Sequence, residues 1–236
     1  MEPVTVGIVA AMPSEARALG VTVLPNQVQE IDDGVMLYIC GVGPDNAARA
    51  TRKLIEAGAA SIVSWGTAGG MVANLASGTP LLSGTIIGTD AAYETDNTWT
   101  TRLRERLASS VSFDDAAIYS GGNLVAGETE KKELAAATGA IAVDMESGVI
   151  AQAATAAGVP FICIRVIADP LSCTLPSSLG KAIDEEGFVS IAGALKEMAR
   201  RPAEIIPMMQ VALHFRRATQ ILALISRLAG PRLLAP

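Results

Sequence analysis

The chain has 236 residues, a formal net charge of −6, and a composition that is 50% hydrophobic but only 4% aromatic. This length allows one domain with a full hydrophobic core, and the composition excludes a disordered chain. The acidic balance excludes general affinity for nucleic acid, which requires a basic surface that displaces counterions.

Short apolar runs rich in β-branched residues predict strands along the first 170 residues. These runs lie at 4–11, 35–40, 60–65, 85–89, 116–119, 140–143 and 159–168. Helices are expected after Glu15, from Asp45 or Asn46 to about Gly58, and over 147–157. Because strands and helices alternate, we expect a largely parallel sheet covered on both faces.

The last forty residues have a different character. From residue 200 onward the sequence contains six arginines and a single acid, Glu204. Isoleucine, leucine, methionine and phenylalanine recur there at helical spacing, which predicts one or two basic amphipathic helices. The start of the chain does not look like a signal peptide, and no run has the roughly 18 apolar residues of a membrane span, so we expect a cytoplasmic protein.

Two glycine clusters follow predicted strands, Gly41-x-Gly43 and Gly66-x-x-Gly69-Gly70. Both are expected to be turns from a strand to a helix, where backbone N–H groups can approach an anion or a sugar closely. Short glycine clusters are also ordinary tight turns, and neither cluster matches a P-loop or a G-x-G-x-x-G motif. The clusters alone therefore leave both interpretations open.

Three acids stand at the ends of apolar runs: Glu15, Glu146 and Asp169. One such acid is best explained as a helix N-cap, and Asp169 before Pro170 fits that explanation. Three acids at one edge of a sheet instead favour an active site.

The lone His214 is far from every motif, which excludes a Ser-His-Asp triad and leaves carboxylates as the acid–base groups. The three cysteines lack metal-type spacing, so we expect no metal.

Four segments in register carry a family resemblance. They are GIVAAMPSE at 7–15, WGTAGG at 65–70, VDMES at 143–147 and RVIAD at 165–169. Together they resemble the nucleoside phosphorylase and nucleosidase superfamily, in particular methylthioadenosine/S-adenosylhomocysteine nucleosidase. The resemblance implies a three-layer α/β/α sandwich around a mixed, partly closed sheet, with a catalytic domain over 1–200 and a basic amphipathic helical extension over 201–236. The pairing of VDMES at 143–147 with ADP at 168–170, and the tail ARRP at 199–202 followed by a basic helix, resemble the hopanoid-associated phosphorylases most closely.

The resemblance implies a role for each acid in cleaving the N-glycosidic bond of a purine nucleoside. Asp169 would protonate or hydrogen-bond adenine N7, and Glu146 would bind the ribose hydroxyls above Met145. Glu15 would orient and deprotonate a water molecule. The remaining substrate-binding residues implied by the family are Gly66, Thr67, Leu124, Val125 and Arg165.

Two positions depart from the family pattern. Leu124 and Val125 stand where the nucleosidase has an aromatic residue that stacks on the base. Ser64 stands where a phosphorylase presents an arginine to phosphate, which leaves Arg165 and the backbone around three residues, Gly43, Gly66 and Thr67, as candidate anion ligands. The first departure argues against aromatic stacking on the base, and the second favours water as the nucleophile.

Three functions therefore compete: hydrolysis of a 5′-substituted adenosine, phosphorolysis giving a ribose 1-phosphate derivative, and non-catalytic nucleoside binding. The presence of Glu15 argues against a pure binding module. The resemblance implies no cofactor, with phosphate as co-substrate only if the reaction is phosphorolytic. It also implies a homodimer or larger homo-oligomer and a substrate such as adenosylhopane, a lipid-linked nucleoside. We therefore expect peripheral contact with the inner membrane surface through residues 203–229.

Overall fold

The computed structural model describes residues 5–181, 183–184, 186–188, 200–233 and 235. Its strands are β1 (Val6–Ala10), β2 (Gln29–Asp32), β3 (Val35–Ile39), β4 (Ser61–Gly70), β5 (Pro80–Ser83), β6 (Thr85–Ile87), β7 (Ala92–Glu94), β8 (Ile118–Ser120), β9 (Ala142–Asp144) and β10 (Phe161–Asp169). Its α-helices are α1 (Pro13–Arg17), α2 (Pro44–Glu56), α3 (Asn97–Leu107), α4 (Glu128–Thr138), α5 (Ser147–Ala156), α6 (Ser177–Lys181) and α7 (Ile205–Ala229). A 3₁₀ turn, Pro202–Glu204, precedes α7.

The described strands form one mixed sheet that branches at β4. The path runs β2-β3-β1-β4-β9-β8-β6-β7, while β10 pairs with both β4 and β5. Strands β1 and β10 lie parallel to β4, whereas β9 is antiparallel to it at Gly69 and Gly70. The carboxyl ends of β1, β4 and β10 therefore meet at one edge, as the alternating pattern predicted.

Helices cover both faces of this sheet, which confirms the predicted three layers. Successive side chains of a strand point to opposite faces. Thus Ile8 of β1 packs in a cluster with Leu103 of α3 and Leu222 of α7. Its neighbour Val9 packs in the cluster that contains Leu54 of α2 and side chains of α5. Burial on both faces explains why these strands appear in the sequence as continuous apolar runs.

The predicted C-terminal helix is present as α7, a single helix of 25 residues. Its second half buries Ala218, Leu222, Ile225 and Ala229 in the same core as β1 and β10. Helix α7 therefore shares a hydrophobic core with the sheet. The domain boundary expected at residue 200 adjoins the undescribed stretch 189–199 and stays a prediction. Among the helices that the structure describes, none has the length and apolarity needed to cross a membrane.

Several local expectations were wrong. The cluster Gly66–Gly70 lies inside β4 rather than in a turn, because that strand continues for ten residues beside β10. Helix α2 begins at Pro44 with Gly43 at its N-cap, since proline is suited to the first helical position. After Asp169 the chain enters a turn at Leu171 and Ser172, so the N-cap explanation of this acid fails. Six elements had no predicted counterpart: β2, β5, β7, α3, α4 and α6.

Candidate active site

A cavity of about 420 Å³ opens at the carboxyl edge of the sheet. The three acids singled out from the sequence all line it, together with Thr67, Leu124 and Met145. The rest of the wall is largely apolar and includes Leu175, Leu179, Ile183, Met208, Val211, Ala212 and Phe215. This volume suits a small organic molecule, and helix α7 supplies four of those apolar side chains.

Glu15 is buried at the start of α1, directly after β1. Its Oε2 accepts hydrogen bonds from the backbone N–H groups of Ala11 (3.2 Å) and Met12 (3.1 Å). Its Oε1 accepts from the N–H of Thr67 (2.8 Å) and from the Thr67 hydroxyl (3.0 Å). Burial raises the pKa of Glu15, and the charge of Arg165 and these hydrogen bonds oppose that rise. The result is a fixed carboxylate with an increased affinity for a proton.

Two glycines of β4 make room for two of the acids. A Cβ atom on Gly66 would lie 2.7 Å from Oε1 of Glu15, and one on Gly69 would lie 2.9 Å from Oδ2 of Asp169. Both distances are shorter than a van der Waals contact. The glycines of this cluster therefore leave space for carboxylates of the chain itself. This role was not predicted from the sequence.

A second, much smaller cavity of about 10 Å³ lies behind Glu15. Its polar lining consists of side chains from Glu15, Thr67, Glu146 and Arg165, beside the backbone of Gly66. Such a volume is close to the minimum that holds one water molecule, and several polar groups are there to bind it.

Glu146 is buried at the end of β9 and lines both cavities. Its Oε1 accepts a hydrogen bond of 2.8 Å from the N–H of Gly43, whose φ of 113° favours glycine. Burial, reinforced by the charge of Asp144, raises the pKa of Glu146 to about 7. This carboxylate can therefore change its protonation state near neutral pH.

The Arg165 guanidinium is hydrogen-bonded to groups of the chain itself. Its Nε donates to Oδ2 of Asp144 at 2.7 Å, and its Nη2 donates to the hydroxyls of Ser64 (2.8 Å) and Ser147 (3.0 Å). Asp144 also accepts a hydrogen bond from the Ser147 hydroxyl. This buried pair was not predicted from the sequence, although Asp144 ends an apolar strand two residues before Glu146, and that position was a signal for it.

Asp169 closes β10 and pairs with a lysine that the sequence analysis also missed. Lys131 of α4 places its Nζ 2.7 Å from Oδ2 of Asp169, and its side chain is 0% exposed. Burial raises the pKa of Asp169, while the charge of Lys131 lowers it. Lys131 lies in the stretch Glu130–Glu133, which resembles an ordinary solvated helix, so nothing local distinguished it.

The remaining predicted residues lie in different surroundings. Leu124 is 40% exposed at the pocket, where the sequence placed it, and Val125 packs against the cluster of Met71, Ala140 and Val143. The candidate anion donors at Gly43 and Thr67 hold Glu146 and Glu15. Within the described ranges, no three His, Cys, Asp or Glu side chains converge as a metal site requires.

Comparison with known proteins gives a family model and many related folds. Residues 5–207 match the model described as the phosphorylase superfamily. No curated protein sequence matched the chain.

Three solved structures illustrate the likeness of the fold. Futalosine hydrolase of Helicobacter pylori is 18% identical, with a TM-score of 0.70 over 94% of this chain and 95% of that one. A methylthioadenosine/S-adenosylhomocysteine nucleosidase of Helicobacter pylori, bound to butyl-thio-DADMe-Immucillin-A, is 17% identical, with a TM-score of 0.70 over 96% and 97%. An S-adenosylhomocysteine nucleosidase of Streptococcus pyogenes, bound to 5-methylthiotubericidin, is 21% identical, with a TM-score of 0.66 over 95% and 97%.

Proposed function

The chain belongs to the phosphorylase superfamily, and we propose that it hydrolyses the N-glycosidic bond of a 5′-substituted adenosine and releases adenine. The observation that carries this proposal is that two acids with different hydrogen-bond partners lie at one cavity. Glu15 stands beside a space for one water molecule, and Asp169 stands beside the wide, apolar part of the pocket. The similar solved structures include nucleosidases bound to nucleoside analogues, which supports the same class of substrate here.

In the proposed reaction the C1′–N9 bond breaks and its electron pair goes to the base. Asp169 gives its proton to N7, so that adenine leaves as a neutral molecule. The water oxygen bonds to C1′ while Glu15 takes the water proton. Glu146 accepts hydrogen bonds from the ribose hydroxyls, and both carboxylates near the sugar stabilise its oxocarbenium character. Proton exchange with solvent resets the two acids after adenine leaves.

Water is proposed as the nucleophile because the groups that could bind phosphate already bind other groups of the chain. The N–H groups of Gly43 and Thr67 hold carboxylates, and Arg165 is paired with Asp144. A phosphate would also meet the negative charges of Glu15 and Glu146. The space of about 10 Å³ beside them is close to the minimum that holds one water molecule.

Phosphate dependence tests this assignment directly. Adenine release from adenosine, methylthioadenosine and adenosylhopane is measured with and without phosphate. We expect a rate that does not depend on phosphate, with a reducing ribose derivative as product. Strict phosphate dependence and a ribose 1-phosphate product would establish phosphorolysis instead. Binding of all three nucleosides without any release would establish a binding module.

The apolar wall supports a bulky, apolar 5′ substituent. Met208, Val211, Ala212 and Phe215 of α7 line the same cavity as the acids, where a polar substituent would lose its hydration. Together with the resemblance to hopanoid-associated phosphorylases, this wall makes adenosylhopane the substrate that we propose. We expect a higher kcat/KM for it than for adenosine.

Contact with a lipid surface through α7 is part of the same proposal. The first half of the helix exposes Ile206 (70%), Met209 (58%) and Leu213 (62%) on the side away from the core. Arg216 and Arg217 are exposed one turn further on. Apolar side chains can insert into the interface while arginines attract anionic headgroups, each by about 1 kcal/mol. A lipid-linked substrate could then reach the cavity from the membrane surface.

Surface substitutions test this contact better than truncation, because removing α7 would also remove Leu222 and Ile225 from the core. The variant I206S/M209S/L213S is compared with wild type in co-sedimentation with phosphatidylglycerol vesicles. We expect the variant to lose binding, and the control L24S, which alters an exposed leucine elsewhere, to retain it. Equal binding by all three proteins would contradict the proposal. Conversion of a wild-type dimer to a monomer, with vesicle binding unchanged, would assign this surface to a subunit interface.

A further inference from the structure

Lys131 is an unusual residue for a surface helix. Helix α4 carries several charged residues that face solvent, including Glu128, which pairs with the largely exposed Lys132. Lys131 is instead completely buried. Removing an ammonium group from water costs several kcal/mol unless its environment compensates. The position of Lys131 therefore requires an explanation, and its contacts supply one.

The ammonium of Lys131 is surrounded by oxygen atoms at the end of β10. Its Nζ donates to Oδ2 of Asp169 at 2.7 Å and lies 3.3 Å from the carbonyl oxygen of the same residue. The carbonyl oxygens of Pro170 (3.4 Å) and Cys173 (3.5 Å) complete the set. Lys131 thus fixes both the carboxylate and the turn that follows it. With Oδ2 engaged, Oδ1 is the oxygen that can serve a ligand in the pocket.

Asp169 is subject to opposing electrostatic influences. Burial raises its pKa, whereas the positive charge of Lys131 from α4 lowers it. His214 of α7 lowers this pKa further and by less, and Cys173 is the other titratable group beside the carboxyl. An acid that is only buried would hold its proton tightly and donate it poorly.

We propose that Lys131 is a positioning residue for the cleavage, holding Oδ2 of Asp169 so that Oδ1 faces the leaving base. The ammonium charge next to this carboxyl also favours its ionised form. This inference rests on the proposed function, because it assigns Lys131 to the step in which the base is protonated. In that step the O–H bond of Asp169 breaks, the proton passes to N7, and the resulting carboxylate is stabilised by the ammonium. Lys131 keeps its own protons throughout.

The pH profile of kcat separates this role from a structural one. Activity requires protonated Asp169, so kcat falls as the pH rises through the pKa of that carboxyl. Removing the positive charge raises this pKa, and the alkaline limb of the profile for K131M should therefore move to higher pH. K131R keeps the charge and should keep the limb in place. We also expect K131M to lower kcat by about 10- to 100-fold with a much smaller change in KM, since loss of Lys131 cannot cost more than loss of the acid.

Controls keep the test decisive. K132M alters the neighbouring exposed lysine and should match wild type in rate and profile. If K131M does not fold, the double variant K131M/D169N removes both partners and leaves no buried charge unpaired. Its kcat should equal that of D169N alone, because Lys131 acts only through Asp169. An additional loss in the double variant, or an unmoved alkaline limb in K131M, overturns the role of Lys131. Absence of adenine release by wild type would overturn the proposed function as well.

Discussion

Glu15 follows β1 and Asp169 ends β10, the two strands that run parallel to β4 on either side, and each carboxylate lies against a glycine of β4. We call Glu15, Gly66, Thr67 and Arg165 the Glu15 end of the site. The Asp169 end consists of Asp169, Gly69, Lys131 and Leu124. Neutral donors hold the first carboxylate beside a space for one water molecule, whereas a buried ammonium holds the second beside the wide pocket.

In the proposed reaction, this difference would allow one sheet edge to hold both a base and an acid. Four donated hydrogen bonds favour the ionised form of Glu15, and burial makes that carboxylate more basic. Asp169 lines the wide, largely apolar cavity, where under the proposal a purine approaches Oδ1 while Lys131 stabilises the charge left behind. The fold provides equivalent positions for the two acids. Under the proposal, the groups that surround each acid determine whether it acts as the base or as the acid.

The largest effect is expected at the Glu15 end. In E15Q the side chain keeps its shape but no longer accepts the water proton, so turnover should be abolished, with kcat lowered by more than about 10⁴-fold. Nucleoside binding, measured by titration calorimetry, should change little. E30Q, at an exposed position of β2, is the matched control and should retain full activity. Turnover by E15Q within tenfold of wild type would remove Glu15 from the mechanism.

A smaller loss is expected at the Asp169 end. D169N should lower kcat by about two to four orders of magnitude, with a much smaller change in KM, because the amide can still donate a hydrogen bond to N7. A substrate whose leaving group needs no proton, such as 4-nitrophenyl riboside, separates the two ends. Its cleavage should be nearly normal in D169N and remain abolished in E15Q. Equal losses for both substrates in D169N would contradict a proton-donating role.

The space that the two glycines leave for the carboxylates can be tested by substituting each glycine. G66A places a methyl group against Glu15, and G69A places one against Asp169. A displacement of about 1 Å at a catalytic group can cost about 10²-fold in rate, so each variant should lose activity to that extent. With 4-nitrophenyl riboside, G69A should recover and G66A should not. G122A is the control, because a Cβ there meets no atom within 4 Å.

The acids at the sheet edge could be predicted from the sequence because each follows an apolar run, a pattern that depends on local order alone. The strands around them were predictable for the same reason. Lys131 could not be found in this way, since its burial results from packing of α4 against the turn after β10. The extension of β4 through Gly66–Gly70 was missed because glycine is usual in turns, and only pairing with β10 keeps that segment extended.

The sequence also separated α7 from the catalytic domain, on the basis of its basic, amphipathic composition. Its apolar spacing correctly predicted a helix, but spacing alone cannot show what each side of a helix contacts. In the structure, Phe215 and Met208 line the pocket, while Leu222 joins the core and Leu213 is exposed. The division of one helix among three environments is a property of the tertiary fold.

Glu146 lies between the two ends and should couple stability to pH. Its pKa in the folded chain is about 7, above its ordinary value, so the folded state binds this proton more tightly than the unfolded state does. Stability from this group is therefore complete below the unfolded pKa and is lost as the pH rises to about 7 and beyond, by about 3 kcal/mol. E146Q should have a higher Tm than wild type at pH 8, and this gap should close towards pH 4.5. A gap that does not depend on pH would contradict the shift, and E30Q is the control.

The smallest effect concerns binding of the adenine base at the Asp169 end. Leu124 lines the pocket where related nucleosidases are expected to stack an aromatic residue on the purine. An aromatic ring contributes about 0.5–1.5 kcal/mol beyond its buried area, so L124F should lower KM for adenosine by about two- to tenfold. The kcat value should stay the same, because the Glu15 end is untouched and Asp169 keeps its partner. L124A should raise KM, which distinguishes stacking from a change in pocket access. A higher KM in L124F, measured by initial rates of adenine release, would show that the base does not lie against residue 124.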